Sequence, residues 1–147
     1  MRYFERPSPR YAIAVVAQCL VATLGLWFPW VENTPQYLDG EPYVTTPDLW
    51  GGEFGFDLFD QLLLSALVPA LLGTLVFERW QWIRDVCVLA TGTVVCWWVG
   101  GMIYSYWTVD HYVHRPGAFL ALSSGLALCL LSVGAFSYRT WHHVSGD

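Results

Sequence analysis

The chain is 147 residues long, 55% hydrophobic and 13% charged, with a formal net charge of −5 and no lysine. Its seven cations, all arginines, are spread from Arg2 to Arg139. That spread excludes the close cluster of about 4–8 cations that grips nucleic acid or acidic headgroups.

Four stretches contain no Asp, Glu, Lys, Arg or His: Tyr11–Val31, Gln61–Phe77, Val86–Val109 and Pro116–Tyr138, of 21, 17, 24 and 23 residues. A bilayer core roughly 30 Å thick needs about 20 mostly apolar residues in a helix. The expected fold is therefore an all-α membrane protein, a four-transmembrane-helix bundle forming one domain over 1–147. Its spans are expected at about 11–31, 59–77, 86–108 and 116–138, and no room is left for a separate soluble domain.

Taken in chain order, the first span follows Arg2, Arg6 and Arg10 and ends at Trp27, Phe28 and Trp30. It is too long for the apolar run of a signal peptide and has no small-residue cleavage site, so it reads as an uncleaved helix. Gln18 and, at the start of the second span, Gln61 are the strongly polar amides of the spans, each placed to bond across to a neighbouring helix.

The loop 32–58 comes next, followed closely by Asp60. Together they hold seven carboxylates: Glu32, Asp39, Glu41, Asp48, Glu53, Asp57 and Asp60. Their spacing matches no EF-hand loop, so they read as a solvated acidic surface and no metal site is assigned. Asp39-Gly40 between Tyr37-Leu38 and Tyr43-Val44 reads as the two-residue turn of a short β-hairpin, with Pro42 confining the second strand to an edge. Further on, Leu49, Trp50, Phe54 and Phe56 alternate with glycines and acids. These large apolar groups must be covered, either by the outer helix ends or by a partner, since aromatic anchors dominate interfaces.

The second span carries Pro69, which removes one helical hydrogen bond and reads as a static kink. The Glu78–Asp85 segment, with Arg79 and Arg84, reads as an inner loop, and its Trp80 and Trp82 mark the inner side. Gly92, Cys96 and Gly100 form a line of small residues on the third span. Gly117, Ala121, Gly125 and Cys129 form another on the fourth, and the short Asp110–Arg115 connection makes these two spans antiparallel neighbours. In lipid, close packing of small residues drives helix association, so the two lines are expected to face each other.

Orientation follows from the arginines. With the N-terminus inside, six lie on the inner face and only Arg115 lies outside, so both termini are expected in the cytoplasm of a multi-pass cell-membrane protein. Tyr104, Tyr106 and Trp107 at one end of the third span, and Tyr138 and Trp141 at the inner end of the fourth, agree with that orientation.

Catalysis and cofactor binding find no candidate residues. Cys19, Cys87, Cys96 and Cys129 lie within spans without metal or redox spacing and read as small packing residues. His111 and His114 lie on one side of the membrane and His142 and His143 on the other, and no mid-span histidine offers itself to haem. Phosphate loops and nucleophile elbows are missing. Lysine-free composition with an acidic exterior resembles proteins of salt-loving archaea.

A cytoplasmic N-terminus, four spans and a longer first outer loop, together with Trp30 at the end of the first span and the pair Leu49-Trp50, resemble the claudin and peripheral myelin protein group. Two loop cysteines of that group are missing here. The resemblance implies lateral or cell-to-cell assembly through the outer loops. The functional expectation is a non-enzymatic membrane protein acting by association, as a homo-oligomer or within a larger membrane complex, with Leu49, Trp50, Phe54 and Phe56 as partner contacts. The alternative expectation is an accessory subunit of a transporter or respiratory complex, held by its helix faces. A small channel is a third reading, disfavoured by the uncharged spans.

Overall fold

A computed structural model describes residues 9–33, 37–38, 41–42, 49–50, 58–76, 80–107 and 112–144. Among these are four helices: α1 (Pro9–Gly25), α2 (Leu58–Val76), α3 (Gln81–Trp107) and α4 (Pro116–Val144). The strands are β1 (Val31–Asn33), β2 (Tyr37–Leu38), β3 (Glu41–Pro42), β4 (Leu49–Trp50) and β5 (Tyr112–His114). Helix α4 packs on both α3 and α1, and α3 packs on α2, whereas α1 and α2 meet least.

The first helix stops at Gly25, short of the expected Val31, for reasons local to its sequence. Leu26 and Trp27 donate their backbone N–H groups to Thr23 O and Leu24 O, each at 3.0 Å. These i to i−3 bonds tighten the last turn, a frequent way of satisfying the terminal carbonyls of a helix. Pro29 then removes a donor, and the indole Nε1 of Trp30 turns back to cap Gly25 O at 2.9 Å. Trp30 and Val31 are thereby carried inward, each to 1% exposure.

That turn also sets the start of α4. Pro116 occupies its first position, where a missing N–H costs nothing. Gly117 N, one of the otherwise unpaired donors of the first turn, bonds Pro29 O at 3.1 Å, and Arg115 N bonds Trp30 O at 2.9 Å. Strand β1 continues directly from this junction. It lies between β4 and β5 in a three-stranded antiparallel sheet, with Val31 opposite Trp50 on one side and His114 on the other.

The expected hairpin between the first two helices is therefore not the main structure there. Strands β2 and β3 pair over two rungs, Tyr37 with Pro42 and Leu38 with Glu41, but the turn residues 39–40 lie outside the described residues and no hairpin turn is described. The larger sheet instead joins the α1–α2 and α3–α4 connections. It does so because Trp30, anchored under α4, delivers β1 to where the α3–α4 connection ends.

Helices α3 and α4 are long and apolar enough to cross a membrane, over Gln81–Ser105 and Pro116–Trp141, while α1 and Gln61–Val76 of α2 are shorter apolar helices. The core combines many slim side chains, including Val15, Ala22, Ala70, Val88, Val95, Val99, Ala118 and Ala121, with Leu26, Trp30, Leu63 and Leu128. Larger apolar groups such as Leu20, Leu75, Trp97 and Leu130 point outward. Pro69 lies inside α2, which continues through it.

Helix α3 begins at Gln81, with Arg84 N bonding Trp80 O at 3.1 Å. Arg84 and Asp85, expected in an aqueous loop, are instead part of its opening turns. The reason is visible in the spacing. Arg84 shares one stripe with Val88, Thr91, Val95 and Val99, all buried, so the apolar face of α3 extends one turn beyond the uncharged stretch and carries the arginine in with it.

Candidate functional site

Three places carry the candidate residues. At the end of the bundle where α1 stops and α4 starts, Leu49 and Trp50 form the edge strand β4, pairing with Glu32 and Val31 of β1. Phe54 and Phe56 lie outside the described residues, as do Asp39-Gly40 and most of the acidic positions of the loop. The structure thus brings Leu49-Trp50 beside the strand that follows Trp30, and by backbone pairing makes one unit of the α1–α2 and α3–α4 connections.

The second place is the set of helix seams. A Cβ added at Gly92 would lie 2.7 Å from Cys129 Sγ, 2.8 Å from Gly125 O and 2.9 Å from Cys129 N. One added at Gly125 would lie 2.9 Å from Val95 Cγ1 and 3.0 Å from Cys96 Sγ. Gly92 and Cys96 of α3 therefore face Gly125 and Cys129 of α4 at backbone contact. Thr93 Oγ1 adds a polar contact to Cys129 Sγ at 3.9 Å.

Beyond that point the two lines part. Gly100 has open space, its nearest neighbour being Leu122 Cδ1 at 3.9 Å. Gly117 and Ala121 turn toward α1: a Cβ on Gly25 would meet Gly117 O at 3.0 Å and Ala121 N at 3.4 Å. The small residues of α4 consequently serve two partners, α1 at the outer end and α3 at mid-length. Gly100→Ala is expected to change stability by no more than about 0.5 kcal/mol, whereas Gly92→Ala costs about 1–3 kcal/mol by overpacking. Denaturation of the two variants in mild detergent, side by side, checks the difference.

Two serines make polar contacts across the helix seams. Ser124 Oγ donates to the backbone carbonyl of Gln18, and Ser132 Oγ donates to Asp85 O at 2.7 Å. Gln18 thus contributes its main chain to the α1–α4 seam, and Gln61 is exposed. A serine reaches a facing carbonyl where the helices are closest, while a longer amide needs more room.

The third place was not anticipated as a site. At the opposite end of the bundle, where α3 starts, Arg84 and Asp85 are 4% and 3% exposed, and Arg84 Nε donates to Asp85 Oδ1 at 3.1 Å. Arg139 of α4 reaches the other carboxylate oxygen through Nη2 and donates from Nη1 to Gln81 Oε1 at 3.1 Å. The Arg84 guanidinium lies over the ring of Tyr11 of α1, 4.3 Å from its centroid, a cation–π arrangement. Three helices are tied together here by one carboxylate between two arginines.

Tyr11 Oη and Arg84 Nη1 are both buried. Among the described residues, no group of three or more His, Cys, Asp or Glu side chains comes together. The clue to this cluster in the sequence was the continuation of the α3 stripe through Arg84, with Arg139 just past the fourth uncharged stretch.

No protein family, characterised protein or solved structure matches the chain.

Proposed function

We propose that the chain is a four-span integral membrane protein, with both termini cytoplasmic, that works by association and carries its partner contacts in the outer segment 32–58. The observation that carries this reading is the β4–β1–β5 sheet. A loop that only linked two helices would need no such base. Here the strand bearing Leu49 and Trp50 is paired to β1, whose root at Trp30 is anchored by three hydrogen bonds at the α1–α4 junction.

Membrane insertion is supported by what the helices leave outside. Ile13, Leu20, Leu72, Leu75, Trp97, Leu126 and Leu130 are all at least half exposed, spread over all four helices, and lipid rather than water is the solvent for such a surface. Helix α1, about 25 Å long at 1.5 Å per residue, is completed toward the outer face by the buried segment through Val31.

The test is the mass of the particle extracted in mild detergent. The wild-type chain is expected as an oligomer, and Trp50→Ala as a smaller particle that is still inserted and folded. An unchanged oligomer in Trp50→Ala, or a wild-type monomer, removes the reading.

A second reading, an accessory subunit held by its helix faces, is favoured by the outward face of α3. Trp97 is 80% and Tyr104 75% exposed there, on either side of Gly101, which has nothing within 4 Å. Under that reading Gly101→Leu breaks the association and Trp50→Ala does not. Gly92, Gly117 and Gly125 are already occupied inside the bundle and cannot serve as partner contacts.

A further inference from the structure

We propose that Cys96 of α3 and Cys129 of α4 are a redox pair, joined into an interhelical disulfide when a lipid-soluble quinone takes their electrons. The helix backbones come to contact beside them. A Cβ added at Gly92 would lie 2.9 Å from Cys129 N, and one added at Gly125 would lie 3.2 Å from Cys96 N. Gly92 therefore stands opposite Cys129, and Cys96 stands opposite Gly125.

The two thiols occupy a diagonal of that rectangle, about one helical turn apart along the seam. Side chains on a helix tilt toward its N-terminus, and these two helices run antiparallel, so the tilts of Cys96 and Cys129 converge. The thiols share a hydrogen bond, and Thr93 Oγ1 lies 3.9 Å from Cys129 Sγ. Drawing the sulfurs from that contact to the roughly 2.0 Å of an S–S bond takes rotation about the two Cα–Cβ bonds and a slide of α3 along α4. The other two cysteines stand elsewhere, Cys19 on α1 and Cys87 against Gly73 of α2.

The surroundings select both product and oxidant. Cys96 and Cys129 are half-buried free thiols, and Thr93 beside them is exposed, so the pair opens on the medium around the helices. On the membrane reading above, that medium is acyl chain. A thiolate or a bound cation is costly there, whereas a disulfide carries no charge. Two S–H bonds break and one S–S bond forms, while both protons and both electrons pass to the quinone, which leaves as the hydroquinone. No ion remains in the bilayer. The new bond closes the loop 96–129, which holds β5 and the start of α4.

The experiment takes the full-length chain in mild detergent, treats it with decylubiquinone and counts free thiols by alkylation after denaturation. The wild-type chain is expected to fall from four alkylated cysteines to two, to lose the mass of two hydrogens, and to yield a peptide joining Cys96 to Cys129. Dithiothreitol restores all four thiols. Cys96→Ser and Cys129→Ser keep a small side chain in the seam, and each is expected to retain its three remaining thiols under the same treatment.

Four thiols left in the wild-type chain after quinone treatment, a cross-link through Cys19 or Cys87, a covalent dimer, or undiminished thiol loss in both serine variants overturns the proposal. Where a variant does not fold, the wild-type thiol count and peptide map decide alone. The oxidant's route rests on the membrane reading, but a micelle takes up the quinone whichever way the chain is oriented. Because neither variant touches 32–58, these results are separable from the fate of the Trp50 experiment.

Discussion

Asp85→Ala is expected to destabilise the folded bundle by about 3–5 kcal/mol, the cost of stripping one partner from a buried ion pair. Asp85 is the sole described carboxylate between Arg84 and Arg139. Its removal leaves a guanidinium 4% exposed with only the Tyr11 ring to face. Three helices feel the loss, because Tyr11 stands on α1, Arg84 on α3 and Arg139 on α4.

A companion variant separates this penalty from the net worth of the cluster. Replacing Asp85 by Leu together with Arg84 and Arg139 by Met removes all three charges, and such replacements are often neutral or stabilising by about 1–4 kcal/mol. Unfolding followed by titration of a denaturing detergent into a mild one checks both variants. A cost below about 0.5 kcal/mol for Asp85→Ala, as at solvated surface positions, would show that water screens the cluster.

The second large effect is expected at Gly117, where alanine costs about 3 kcal/mol, the upper end of the overpacking range. The added Cβ would lie 2.5 Å from Phe28 O, 2.6 Å from Trp30 Cδ1 and 2.7 Å from Gly25 O. None of the three yields easily. Two are backbone carbonyls, and the indole is held by its bond to Gly25 O and buried to 1% exposure.

Relief of that clash separates α4 from the segment 25–30, which breaks the Gly117 N to Pro29 O and Arg115 N to Trp30 O bonds. Strand β1 then loses its root. Hydrogen exchange is expected to quicken at the β1 and β5 amides, Val31–Asn33 and Tyr112–His114, while the mid-helix amides of α3 stay protected. Uniform acceleration over the whole chain would instead signal global unfolding.

Some of this was legible in the residues alone. Uncharged runs and their lengths locate the helices, because apolar length is a one-dimensional property of the chain. Recurrence of glycine and cysteine every four residues identifies the slim faces of α3 and α4, because helical periodicity is local. The same local rules misplace the ends. Val31 looks like the end of a span when only charge is counted, yet Pro29 and the Trp30 cap stop the helix at Gly25. Gln81–Asp85 look like loop because they are polar, yet the stripe through Arg84 and Val88 continues the helix.

Partner choice lay beyond the sequence for a different reason. Gly117 and Ala121 face α1 rather than α3, and β1 finds both β4 and β5, only because α4 is packed between α1 and α3. Arg84, Asp85 and Arg139 read as ordinary aqueous charges until that packing brings the inner ends of α1, α3 and α4 together. By itself the sequence determined how many apolar helices there are, which faces are slim and where aromatic and acidic residues concentrate, since each follows from neighbours along the chain. Only the tertiary structure decided that the outer connections share a sheet and that three charges share a buried site, since both depend on residues 31, 50 and 114, or 84, 85 and 139, meeting across helices.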